Sequence, residues 1–206
     1  VTKASTGCAS AADTVVVTVD NAIPTANAGT DGTITCSDTS VSIGSSAVSG
    51  FTYAWTPTTG LSNSTVAQPV ATPSSTTTYS LVVTKASTGC ASAADTVVVT
   101  VDNATPSANA GSDGTINCNT TSVSIGASAV SGFTYAWTPT TGLSSSTSSQ
   151  PTATPTSTIT YSLVVTELST GCSGADTVVV TVDNAAPTAN AGSNATIDCN
   201  TTSVSI

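Results

Sequence analysis

Apolar residues along the chain alternate with small polar ones. Phe51, Tyr53 and Trp55 are separated by single residues, as are Tyr79, Leu81 and Val83, so each run has one apolar face at the period of a β-strand. No segment carries a helical period. Between the runs lie clusters of Gly, Pro, Asn, Asp and Ser, namely "NAGTDG", "VSG", "PTTGLSNS", "TPSS" and "KASTG", which read as turns. The pattern predicts strands over about 24–28, 32–36, 40–47, 51–56, 66–71, 76–85 and 95–102. Pro24 begins this set, Pro57 ends a strand, and Pro69 places its own strand at a sheet edge, because proline donates nothing to a ladder.

The whole pattern then recurs. "VTKASTGCASAADTVVVTVDNA" begins at Val1 and again, unchanged, at Val83, and an edited version, "VTELSTGCSGADTVVVTVDNA", begins at Val165. Cys8, Cys90 and Cys172 stand 82 residues apart, as do Cys36 and Cys118, whereas Cys199 follows Cys118 by 81 because the third segment lacks one residue. Self-similarity at a fixed period marks a tandem array. The expected organisation is the C-terminal strands of a preceding repeat at 1–22, complete repeats at 23–104 and 105–186, and the N-terminal strands of a following repeat at 187–206. On this reading the sequence is a window on a longer array.

Composition narrows the function. Charged residues make up 6% of the chain, with two lysines, no histidine and a formal charge of -9. A nucleic-acid reader needs clustered Lys or Arg for phosphate contacts, and an anionic membrane surface asks for the same. No run approaches the eighteen or so apolar residues of a membrane span. The apolar content is gathered in Val, Ile, Tyr and Trp runs that disordered chains lack, and Thr supplies the polar face of strands. The chain reads as folded, all-β and secreted.

Seven or so short strands in about 80 residues, with a Trp in the middle and a Tyr near the start of a late strand, predict an immunoglobulin-like sandwich. Trp55 and Tyr79 in one repeat, and Trp137 and Tyr161 in the next, are the expected core. The segments "PTANAGTDGTITC", "YAWTPTTGLSNSTVAQPVATPSSTTTYSLVVT" and "GC" followed by "DTVVVTV" resemble the PKD-like and Ig-like tandem repeats of giant surface proteins exported by the type IX system of Bacteroidota. That family includes gliding adhesins and the grappling filaments of predatory filamentous species. The resemblance covers essentially the whole chain. It implies tandem Ig-like (PKD-like) β-sandwich repeats of about 82 residues on the cell surface.

Six cysteines at repeating positions, with no C-x-x-C pair and no histidine, read as disulfides in preference to zinc ligands, with buried free thiols as the alternative. In a sandwich of this kind Cys36 and Cys90 would sit at opposite ends. A strand of eight residues spans about 26 Å, whereas bridged Cα atoms lie about 6 Å apart. The expectation is therefore a bridge between repeats or chains, such as Cys36 with Cys172. Cys90 would then serve an upstream unit and Cys118 a downstream one, with Cys8 and Cys199 as their counterparts in the flanking segments.

Catalysis lacks its groups: there is no histidine, the one glutamate is Glu167, and nothing activates the many serines. The pair Asp31 and Asp38 becomes Asp113 and Asn119 in the second repeat. Calcium, the one cofactor weighed, would draw on Asp31, Asp102 and Asn103 near the joints, though no D-x-D-x-D-G loop is present and turn-making accounts for the same residues. Thr14, Thr96 and Thr177 stand in D-T-V triplets like the O-glycosylation site of Bacteroidota, or simply where strands begin. The N-x-S/T matches at Asn63, Asn103, Asn119, Asn194 and Asn200 are what chance gives in a chain so rich in Ser and Thr.

The expected function is structural. The repeats supply length and strength to an extracellular fibre used for adhesion, with other copies of the same chain as lateral partners and domain swapping among the routes. The alternative is a carbohydrate-binding or spacer module of a secreted polysaccharide-degrading enzyme, which exposed Trp55 and Trp137 would favour.

Overall fold

A computed structural model describes residues 1–200, 203 and 205. The chain divides into two compact units, Val1–Asn103 and Ala104–Ile206. Unit 1 holds β1 (Gly32–Ile34), β2 (Val41–Ser42), β3 (Phe51–Thr56), β4 (Val70–Ala71), β5 (Thr77–Lys85) and β6 (Asp95–Val101). Unit 2 holds β7 (Gly114–Asn117), β8 (Val123–Ser124), β9 (Phe133–Thr138), β10 (Thr152–Ala153), β11 (Ile159–Glu167) and β12 (Ser173–Asp183). The described residues contain no helix.

Each unit is a β-sandwich of the immunoglobulin type with one large layer and one small one. In unit 1 the large sheet has the order β1-β6-β5-β3, and β2 pairs with β4 in the small one; unit 2 repeats this as β7-β12-β11-β9 and β10-β8. The first and last strands of the large sheet are parallel neighbours, with Gly32 opposite Val99 and Ile34 opposite Val101. The remaining pairs are antiparallel, and Trp55 lies opposite Leu81 on β5.

The alternation sets the layers. Tyr79, Leu81, Val83, Val97 and Val99 point inwards and are buried, together with Trp55 and Ile43. Trp55 also organises the long loop after β3: its backbone N–H donates to Ser64 O at 2.9 Å and its indole Nε1–H to Val66 O at 3.0 Å. Tyr79 donates its hydroxyl to Thr59 O at 2.9 Å, so a buried phenol is satisfied. Trp137 and Tyr161 make the equivalent bonds to Ser148 O and Thr141 O in unit 2.

Several expected strands are shorter than their patterns, and one is absent. Residues 24–28 form no strand, because their polar groups are taken elsewhere. Ala28 donates to the Asp95 carboxylate, its carbonyl accepts from Gly44 N–H at 2.8 Å, and Gly29 turns the chain at φ 88°. The expected 40–47 and 66–71 contract to the two-residue β2 and β4, extended only by Ile43 N–H to Pro69 O. β2 is an edge strand, but β4 is flanked on its other side by the chain at 60–62, where Leu61 bridges Ala71 and Ser62 N–H donates to Val70 O at 2.8 Å, so the edge placement expected from Pro69 does not hold. Residues 1–22 hold a single bridge, Thr2 with Ala9, and no strand. The expected strands at 187–206 are absent among the described residues, and part of that segment lies outside them.

The residue missing from the third copy has a location. In unit 1 the β5–β6 hairpin carries a β-bulge: Ser92 N–H bonds Val83 O while Leu81 already pairs with Asp95, so Ala93 and Ala94 together oppose Val82. In unit 2 Leu163 pairs with Asp176, Val164 with Ala175 and Val165 with Gly174 in one unbroken register. The deletion is the bulge. Gly174 then lies beneath the crossing chain, where a Cβ would stand 1.9 Å from Pro106 O.

At Gly44 the backbone has φ +85°, and a Cβ would meet Ala67 O at 2.2 Å and the Trp55 ring at 3.0 Å. Replacing Gly44 with Ala is expected to destabilise unit 1 by about 2–4 kcal/mol, combining left-handed backbone strain with overpacking. Urea unfolding followed by Trp55 fluorescence checks this.

Candidate functional site

The arrangement that distinguishes these units is the tie between the segment by which the chain comes in and the strand by which it leaves. β1 and β6 share the parallel ladder, and two carboxylates reinforce it from opposite directions. Asp31, just before β1, accepts from Val98 N–H on β6 at 2.8 Å, and Asp95, at the start of β6, accepts from Ala28 N–H at 2.8 Å. Unit 2 repeats the clasp with Asp113 on Val179 N–H and Asp176 on Ala110 N–H, both at 2.8 Å. Charge-assisted bonds of this kind are roughly twice as strong as neutral ones.

Sequence explains the geometry. The turn "NAG" is closed locally by Asn27 Oδ1 on Gly29 N–H, which sets the next carboxylate, Asp31, alongside β6. Gly32 sits where a Cβ would meet Val41 at 2.5 Å, so the incoming strand can lie close beneath the small sheet. In unit 2 the backbone N–H groups of Ala110 and Thr177 hold the Asp176 carboxyl below the usual carboxylate range. Asp20 is also lowered, first by its bond to the Lys85 ammonium and then by Ala22 N–H. Glu167 stands where Lys85 does in the first unit, and it accepts instead from Thr170 Oγ1 at 2.9 Å.

The other sequence candidates fall in different places. Cys36 and Cys172 are disulfide-bonded, and Cys8, Cys90, Cys118 and Cys199 are free thiols. Cys172 is fully buried whereas Cys90 is half-buried. Of the calcium candidates, Asp31 uses a carboxylate oxygen on Val98 N–H, and Asp102 donates its backbone N–H to Ile34 O at 2.8 Å. Asn103 is exposed, and no cluster of three or more His, Cys, Asp or Glu occurs among the described residues. Thr14, Thr96 and Thr177 are exposed. Trp55 and Trp137 are 2% exposed, and Tyr79 and Tyr161 are fully buried.

Asp95 and Asp176 were read from the sequence only as the first letters of D-T-V triplets. Their part in the clasp is legible only once β1 is known to lie beside β6. Beyond the clasp each unit has a shallow, charge-free cavity, about 210 Å³ in unit 1 and about 290 Å³ in unit 2. Phe51, Tyr53, Leu81 and Val83 line the first, with Pro24 and Val48 at its rim. None of these residues is an acid or a base.

No family model matches the chain, and no curated protein matches it. Several solved structures are similar to it. Mouse cadherin-23 EC22-24 aligns with 76% of this chain and 62% of its own length at 12% identity and a TM-score of 0.37. Drosophila OTK extracellular domains 3-5 align with 75% and 60% at 10% identity and 0.39. Drosophila N-cadherin EC1-4 aligns with 79% and 50% at 11% identity and 0.37. The chain thus spans between half and about three fifths of these proteins. No helix among the described residues is long and apolar enough to cross a membrane.

The lowered pKa of Asp176 fixes a sign. Its folded value lies below its unfolded one, so its contribution is fully present above about pH 4, the unfolded carboxylate range, and is lost as pH falls through the folded value. In a Trp55→Phe background, where Trp137 reports on unit 2, the urea midpoint is expected to drop below pH 4. Asp176→Asn should lower the midpoint at pH 7 and flatten its acid dependence.

Proposed function

We propose that this chain is a load-bearing repeat of a long extracellular fibre, of the kind displayed at the cell surface for attachment. The observation that carries this reading is the clasp. When a unit is pulled by its two ends, force arrives through the segment before β1 and leaves through the end of β6. These elements are parallel neighbours, so extension shears every bond between them at once and cannot open them one at a time. Asp31 and Asp95 add two charge-assisted bonds to the same seam.

The disulfide belongs to this function. Cys36 follows β1, Cys172 precedes β12, and both are oxidised while the other four cysteines are thiols. The proposed pairing is Cys36 with Cys172, a staple between consecutive repeats that carries the load past residues 37–171 while it is intact and leaves the clasps to bear it once it is reduced. In a longer array Cys90 and Cys118 would make the same staple with upstream and downstream neighbours, and Cys8 and Cys199 would belong to the flanking repeats. Each repeat adds on the order of 35–45 Å of reach, from strand length plus loops. Other copies of the chain are the proposed lateral partners, and export through a type IX system is the proposed route.

Catalysis plays no part in this reading, because the chain contains no histidine and one glutamate. Carbohydrate recognition through Trp55 and Trp137 loses its platform, since both indoles are buried and spend their N–H groups on loop carbonyls. Asp31, Asp102 and Asn103 serve the fibre as turn and clasp residues, and the hydroxyls of Thr14, Thr96 and Thr177 are exposed.

Force spectroscopy on the chain tethered at its two ends tests the reading. In oxidising buffer residues 37–171 should stay folded or unextended, and adding a reductant should release roughly 450 Å of further contour at about 3.4 Å per extended residue. Equal contour lengths with and without reductant would overturn the staple. In reducing buffer, where both strands of the clasp carry load, Asp31→Ala with Asp95→Ala should lower the rupture force of unit 1 and leave unit 2 unchanged.

A further inference from the structure

The outward face of each large sheet has an unusual composition. On β6 it presents Thr96, Val98 and Thr100, and on β5 Ser80, Val82 and Thr84. On β3 it presents Thr52, Ala54 and Thr56. Unit 2 repeats these rows residue for residue on β12, β11 and β9. The charges in line with these rows are Asp102, just past the end of β6, and its equivalent Asp183 at the end of β12. In a chain of formal charge -9 the carboxylates are confined to turns, strand ends and clasps.

We propose that this Thr/Val/Ala face is the surface through which copies of the chain associate laterally, an inference that rests on reading the chain as a fibre repeat. The occupant is a second copy presenting the same face. Two identical faces can meet about a two-fold axis with no like charges opposed, at the roughly 10 Å spacing of packed sheets. Methyl groups are desolvated, and threonine hydroxyls bond across the seam. One outward position per two residues, with strands about 4.8 Å apart, gives roughly 350 Å² of face per unit. Stable interfaces bury about 800 Å² per partner. A single unit therefore associates weakly, and successive units on one chain reinforce one another by effective concentration.

The test is sedimentation of the intact chain over a wide concentration range. The substitutions are Val98→Lys with Val179→Lys and, on the exposed β3 and β9 rows, Ala54→Lys with Ala136→Lys. Thermal unfolding confirms that each variant is folded. The wild-type chain is expected to show reversible, concentration-dependent association, weakened at least tenfold by either pair. A wild-type chain that stays monomeric throughout would overturn both the lateral-partner reading and this surface. Association that both folded variants retain at wild-type strength would overturn the surface alone.

Discussion

The fold of each unit depends on its first strand lying parallel to its last. Sandwich cores are closed by burying inward side chains, and here Trp55, Tyr79 and the valines of β6 do so. The position of β1, however, is not a matter of apolar area. The strand is three residues long and contributes one well-buried side chain, Ile34. What fixes it is a set of directional bonds: the ladder to Val99 and Val101, Asp31 on Val98 N–H, and Asp95 on Ala28 N–H. Strand edges left unpaired cost desolvated polar groups, so the clasp satisfies the edge of β6 and anchors the incoming chain in one arrangement.

This division between area and direction decides what could be read from the sequence. β3 and β5 were legible almost to the residue because alternating large apolar side chains specify both period and face. The segment 24–28 was not, since its "PTANA" holds its place through a side-chain acceptor 67 residues away and a turn glycine. The sharpest case is the heptapeptide "DTVVVTV", present at residues 13–19 and 95–101. At 95–101 it is β6, flanked by β1 and β5. At 13–19 it forms no strand, and Val15, Val16, Val17 and Val19 are 73–86% exposed. Local propensity is the same in both places, and only the neighbours differ.

The edited third segment makes a related point about tolerance. Loss of one residue inside a strand would turn every later side chain to the wrong face. Here the loss fell where β6 already carried an extra residue, so the inward set Val178 and Val180 keeps the register that Val97 and Val99 have in unit 1. The repeat absorbed a deletion by straightening a bulge, at the cost of needing glycine at 174 beneath Pro106.

The distribution of polarity then follows from a single economy. With so few charged residues, each carboxylate of the clasp does structural work on a backbone N–H, and the broad faces are left to threonine, which suits a strand by its branching and water by its hydroxyl. A module built this way keeps its clasp carboxylates on backbone N–H groups. It has directional bonds between its first and last strands and broad faces almost without charge. In the fibre proposed above such a part would be repeated for reach, and near-identical copies would share the load evenly.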